Sequence, residues 1–208
     1  MNARLVRLAL HATLPTFLLI VLIVSASRPA YAQGGNIQGK LWVVSVADAS
    51  NVQFPPPSAT PDATFTTHGI AYIGQDGKNH GRHCYTIGRF LAGCPTAGFD
   101  LKFSGLTNPI LGKAVDGTTP MSGTNFGIII EFTGSIFFTH KQTIQILHDD
   151  GVSLMIDGAQ IAGFGSVITP PKLESVRFAG ITGTHTVDLL YANAIGGGAW
   201  LLFFPLLY

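Results

Sequence analysis

The chain has 208 residues, of which 47% are hydrophobic and only 11% charged, with 12 Lys+Arg against 11 Asp+Glu. Charge this sparse and this evenly balanced leaves no basic face, which excludes nucleic acid as a partner. The three arginines Arg4, Arg7 and Arg28 lie in the first segment, so the remainder is slightly acidic and the precursor's near-neutral pI is misleading.

That first segment is a leader. Arg4 and Arg7 precede an apolar run from Leu14 to Val24, and Ala30-Tyr31-Ala32 is a small-x-small cleavage site that would make Gln33 the mature N-terminus. An uncleaved anchor is the alternative, although the run is short for a membrane span. Both readings export the protein, to a secreted, periplasmic or cell-surface location. The expected organisation is a signal-peptide helix over 1–32, a flexible lead-in over 33–40 and a single domain over 41–208, with no membrane span in the mature chain.

After the leader the chain is rich in Gly, Thr, Ser, Ile, Val and Phe and poor in Glu, Lys and Arg. No stretch carries a long 3.6-residue period, so the prediction is all-β with at most a short helical turn. Leu41–Val46 reads as the first strand. Pro55-Pro56-Pro57 marks a loop, and Ala63–Ile73 holds one or two short strands.

Cys84 and Cys94 enclose Tyr85, Ile87, Phe90 and Leu91, a short strand or helical turn. Export permits a Cys84–Cys94 disulfide, and two free thiols are the alternative. Phe99, Leu101 and Phe103 alternate with Asp100 and Lys102 as a half-buried strand, and Thr107–Thr124 is a long connection rich in turn signals.

Phe126–Thr133 is a nearly continuous apolar strand. Gly134-Ser135 breaks it, Ile136–Thr139 starts the next strand or a wide turn, and Glu131 faces an edge or solvent. Ser175–Ala179 and His185–Tyr191 are further strands. Ala192–Gly198 is a loop, and the apolar run Ala199–Tyr208 is the closing core strand.

The most informative stretch is Ile144–Gly158. Two arms of alternating residues, Gln142–Leu147 and Val152–Ile156, flank Asp149-Asp150-Gly151, which reads as a hairpin with an acidic corner. Adjacent carboxylates repel unless something positive neutralises them.

This order of features resembles the PA14 domain family. It comprises an apolar strand ending in Phe132-Thr133-Gly134, a strand reaching Asp149-Asp150-Gly151, then Val152-x-Leu154-x-Ile156-Asp157-Gly158, a later strand of the His185–Tyr191 kind, a glycine-rich turn and an apolar closing strand. The resemblance covers Phe126–Tyr208 well and Gln33–Asn125 loosely. It implies an antiparallel, jelly-roll-like PA14 β-sandwich.

In the calcium-dependent adhesin and flocculin branch of that family, two consecutive aspartates joined by a cis peptide ligate Ca2+, a later asparagine completes the protein part, and the ion contacts sugar hydroxyls. Carried over, the metal residues are Asp149, Asp150 and Asn193, with Ile195 and Gly197 as carbonyl ligands. Calcium, a hard cation that takes six to eight oxygens, suits such a set. His148 and Trp200 are candidate glycan contacts, Trp200 as a stacking platform.

The resemblance thus implies a calcium-dependent carbohydrate-binding module whose partner is a glycan or another cell-surface or matrix component. The alternative is a structural or protein-binding module of the envelope. No nucleophile elbow, phosphate loop, HExxH or CxxC motif is present, and no carboxylate pair is singled out, so catalysis is not expected.

Overall fold

A computed structural model describes residues 36–73, 86–92, 100–164, 171–194 and 199–205. The segment expected to be a leader, with Cys84, Cys94, Ile195 and Gly197, lies outside the described residues.

The strands are antiparallel and fall into two stacked sheets with a small ribbon. In spatial order the large sheet comprises β10 (Ala159–Phe164), β9 (Val152–Ile156), β12 (Gly183–Asn193), β7 (Phe126–Phe138), β1 (Ile37–Ser45), β2 (Ala63–Thr67) and β4 (Asp100–Phe103). The small sheet comprises β11 (Lys172–Arg177), β8 (Thr143–Asp149), β13 (Trp200–Pro205) and β3 (Ala71–Ile73). β5 (Thr107–Asn108) and β6 (Lys113–Ala114) form the ribbon, and two short helices, α1 (Val46–Ala49) and α2 (Ile87–Ala92), complete the described elements. The all-β sandwich expected from composition is what the chain forms.

Period-two alternation builds the core. Ile128, Ile130, Phe132, Ile136 and Phe138 of β7 point between the sheets and meet Ile144 and Ile146 of β8, Leu189 and Tyr191 of β12, and Leu201 and Phe203 of β13. Each fully buried side chain of this size contributes about 1.5–3 kcal/mol. Phe65 and Phe132 pack edge to face with centroids 5.7 Å apart. A second apolar cluster lies on the outer face, where Trp42, Ala49, Val52, Ile129, Leu190, Ala192 and Ala194 pack together beside α1. Burial on both faces explains why the start of β7 is an uninterrupted apolar run.

Several expectations are corrected. β1 begins at Ile37, taking in four residues expected in the lead-in. Gly134-Ser135 does not break the chain, because β7 runs 13 residues to Phe138 and pairs with β12 from Ile128 to Phe138. Gly134 is the residue that fits there: a Cβ would lie 3.1 Å from Ile37 Cγ1. Glu131 is buried in a central strand, with Lys40 Nζ 2.7 Å from Oε2.

The largest correction concerns the acidic stretch. β8 pairs with β11 and β13, whereas β9 pairs with β10 and β12. The arms therefore belong to different sheets, and Asp149-Asp150-Gly151 carries the chain across the sandwich. An arch and a hairpin show the same alternation, because in both the apolar sides of the arms face the core.

Candidate functional site

The arch is held by the end of β12. Asp150 N–H donates to Ala192 O at 3.2 Å, and Ala192 N–H returns a bond to Gly151 O at 2.9 Å. Asp150 is 3% exposed, and its Oδ2 accepts from Ala194 N–H at 2.7 Å. The Asp149–Asp150 peptide bond is cis.

The two carbonyls of the pair are also held. Asp149 O accepts from the buried Tyr191 hydroxyl. Asp150 O lies 2.6 Å from His148 Nδ1, so Nδ1 carries a proton and donates. The His148 ring stacks on Phe164, centroids 5.7 Å apart, and the residue is only 2% exposed. Burial lowers its pKa and favours the neutral ring. With its faces enclosed, His148 supports the arch from inside and offers no surface on which a sugar could stack.

Asn193 follows Tyr191 by two residues and so projects from the same side of β12. It is 1% exposed. Its side chain lies near enough to the Tyr191 hydroxyl to lower that group's pKa, while its Oδ1 has no hydrogen-bond partner among the described residues. Buried side-chain polar atoms are nearly always satisfied, which sets this oxygen apart, together with His148 Nε2, also without a partner among the described residues. Tyr191 stacks on Phe90, centroids 6.0 Å apart, and burial pushes its pKa well above the ordinary value. Its hydroxyl thus remains a proton donor and links the aspartate corner to Asn193.

The carboxylates are electrostatically loaded. Burial, the charge of Asp150 and a hydrogen bond to Asp150 together raise the Asp149 pKa to about 7. An isolated pair of this kind shares a proton, and a cation that replaces that proton relieves the repulsion. The available donors are all hard oxygens: two carboxylates and an unpartnered amide oxygen, a set that fits calcium better than a thiophilic metal. Among the described residues no group of three or more His, Cys, Asp or Glu could hold a metal, so a cation here depends on Asn193 and on further oxygens.

Trp200 opens β13 in register with Asp149, on the same side of the small sheet, and is half-buried. Of the residues named from sequence, the structure therefore brings together Asp149, Asp150, Asn193, Trp200 and, beneath them, His148.

Three contributors escaped the sequence reading. Tyr191 could have been found from a buried hydroxyl two residues before Asn193. Ala194 acts only through its backbone and leaves no sequence signal. Gly127 could have been suspected as a glycine inside an apolar strand. A Cβ there would come within 2.5 Å of Asn193 O and 2.9 Å of Ala194 Cα, so only glycine lets the Asn193–Ala194 segment lie this close to β7.

A search of solved structures finds the same architecture. The PA14 sugar-binding domain from an RTX adhesin aligns over 80% of this chain and 86% of that one, at 18% identity and a TM-score of 0.50. The chain has a PA14-like fold. The PA14 domain of an antifreeze protein aligns over 86% of this chain and 83% of that one, at 14% identity and a TM-score of 0.46. An alpha-xylosidase from Xanthomonas citri aligns over 82% of this chain but only 14% of its own, at 11% identity and a TM-score of 0.44. No family model matches the chain, and no curated protein matches it. In this PA14-like sandwich the acidic arch and the end of β12 meet where the chain passes from sheet to sheet.

Proposed function

We propose that this protein is an exported, non-catalytic carbohydrate-binding module of the adhesin type, with a calcium ion held by Asp149, Asp150 and Asn193. The observation that carries the reading is the buried, unpartnered Oδ1 of Asn193, joined through the Tyr191 hydroxyl to the Asp149–Asp150 corner. An amide oxygen left without a donor beside two mutually repelling carboxylates suits a hard cation.

Calcium, when bound, would supply open coordination positions for vicinal hydroxyls. The protein's own part is to hold the oxygens still. Ala194 fixes one Asp150 oxygen, and Tyr191 and His148 fix the two carbonyls. Trp200, beside Asp149 on the small sheet, offers an apolar face to a sugar ring. The adhesin domain of similar fold is described as sugar-binding, which agrees with this assignment.

Calorimetric titration of the metal-free protein with calcium, followed by a glycan array with and without calcium, tests the reading. Calcium binding that disappears in Asp149→Ala and Asn193→Ala, together with calcium-dependent glycan retention, is expected. Calcium binding without glycan retention would leave a structural or protein-binding envelope module. No calcium binding at all would remove the reading.

A further inference from the structure

At the end of the sandwich opposite the acidic arch, three connections meet around His185. β12 carries the chain from there to Asn193, roughly 27 Å away along the strand. The His185 ring is buried and lies against Phe178 and Phe138, centroids 4.8 and 6.2 Å away. Its two nitrogens face different partners. Nδ1 is 2.5 Å from Asp157 Oδ2, on the turn between β9 and β10. Nε2 is 2.8 Å from Ile181 O, on the connection between β11 and β12.

Both partners are acceptors. The Asp157 carboxylate also takes the Thr186 N–H at 2.9 Å and the Thr186 hydroxyl at 3.1 Å, and His185 and Thr186 together hold its pKa below the ordinary carboxylate value. A neutral imidazole carries one N–H, so one of its nitrogens would turn a lone pair toward an oxygen. The imidazolium donates to both. The Asp157 hydrogen bond, and after it that of the Ile181 carbonyl, raise the His185 pKa above the ordinary histidine value.

Other elements bring titratable groups to the same end: His140 and Lys141 from the turn between β7 and β8, and Arg177 at the close of β11. His140 Nδ1 faces Gly180 O at 2.9 Å, a single acceptor that a neutral ring satisfies, and the Lys141 backbone N–H donates to Phe178 O at 3.0 Å. Asp188, three places along β12 from His185, projects from the opposite side of the sheet. Among the described residues, Asp157 is therefore the acid that touches the ring.

We propose that His185 is a doubly protonated clasp joining the Asp157 turn to the Ile181 segment, and that alkaline surroundings open it on the Ile181 side. The proton leaves Nε2 for solvent, because Nδ1 keeps the charge-assisted bond to the carboxylate. Nε2 then presents a lone pair to Ile181 O. The Ile181 side chain, 78% exposed, has little packing to hold the segment once that bond is gone. The His140 bonds to Gly180 O and Thr182 Oγ1 remain, so the segment loosens without unfolding the strands.

The test is NMR of the isotopically labelled protein across pH 5.5–9.5, with long-range proton–nitrogen spectra of the histidine rings and 13Cα relaxation of Gly180, Ile181 and Thr182, signals that survive alkaline conditions. At pH 6 both His185 nitrogens should carry protons, and after titration Nδ1 alone should keep one. The midpoint should lie above the ordinary histidine value. Backbone order parameters at Ile181 and Thr182 should fall from about 0.85 to below about 0.6 through that midpoint. Asp157→Asn should move both the midpoint and the loosening to lower pH, whereas His140→Gln should lower the order at every pH and keep the His185 transition. Three results would overturn the proposal: a neutral His185 ring at pH 6, a midpoint unmoved by Asp157→Asn, or a titration that leaves Ile181 and Thr182 unchanged. The clasp is independent of the calcium reading, and neither result bears on the other.

Discussion

Ala194 N–H donates to Asp150 Oδ2 at 2.7 Å, tying the last turn of one sheet to the arch that leaves the other. Asp150→Ala would leave that buried donor unpaired, at a cost of about 1–3 kcal/mol. Asp150→Asn keeps an oxygen for Ala194 but removes the charge. Urea denaturation should therefore rank Asn above Ala in stability, while calorimetry should find calcium affinity lost in both. Equal stability of Asp150→Ala and the parent would contradict the tie.

Tyr191→Phe isolates the hydroxyl. The ring remains to stack on Phe90, so the fold should survive with a loss of about 0.5–1.5 kcal/mol. Calcium affinity should fall further than that loss alone suggests, because Asp149 and Asn193 would no longer share a common anchor. Calorimetry beside a thermal melt separates the two effects.

Gly127→Ala places a methyl against Asn193 O, Ala194 Cα and the Ala49 Cβ, none of which can rotate away. Overpacking of this kind costs about 1–3 kcal/mol. The expected signature is a lower melting temperature together with weaker calcium binding, since the displaced segment carries Asn193. Ala at Gly105, where nothing lies within 4 Å but φ is +71°, is the control: it should cost stability through backbone strain and leave calcium binding unchanged.

The metal-free protein should lose stability as pH rises from about 5 to about 8. Asp149 is raised from 3.8 to about 7 and Asp188 to about 6, so the folded chain binds more protons than the unfolded chain within that window. His185 adds to the trend, and His148, whose pKa burial lowers, opposes it as pH rises toward 6.5. The His185 pKa is raised by Asp157, and its contribution, complete below 6.5, is lost as pH rises through the raised value. Asp157, lowered by His185, loses its own contribution only as pH falls below 3.8, outside the window. Asp149→Asn should flatten the slope in urea titrations, and calcium should bind more tightly at pH 8 than at pH 6, when the carboxylates are free of protons.

Much of the fold was legible because alternation is a local property. His185–Tyr191 and Val152–Ile156 read as strands for the same reason that they bury Val187, Leu189, Leu154 and Ile156. Partner choice was less legible. Nothing in Asp149-Asp150-Gly151 distinguishes a turn that returns beside its own strand from one that crosses to the facing sheet, since that depends on β12 and β13 arriving from more than thirty residues along the chain. Glu131 misled for a related reason. A charge in an apolar strand suggests an edge until Lys40, on the neighbouring strand, supplies the partner. Asn193 was named through its family pattern, but its support from Tyr191 and Gly127 emerges only when β7 and β12 are side by side.

The passage from Asn193 in the large sheet to Trp200 in the small sheet crosses at the same end as the acidic arch. Asn193 and Trp200 are thus each anchored on a strand, one in either sheet. Asn193, Trp200 and Asp149 can therefore change neighbours only if a strand slips its register, and a slip by one residue would turn every side chain of that strand to the opposite face.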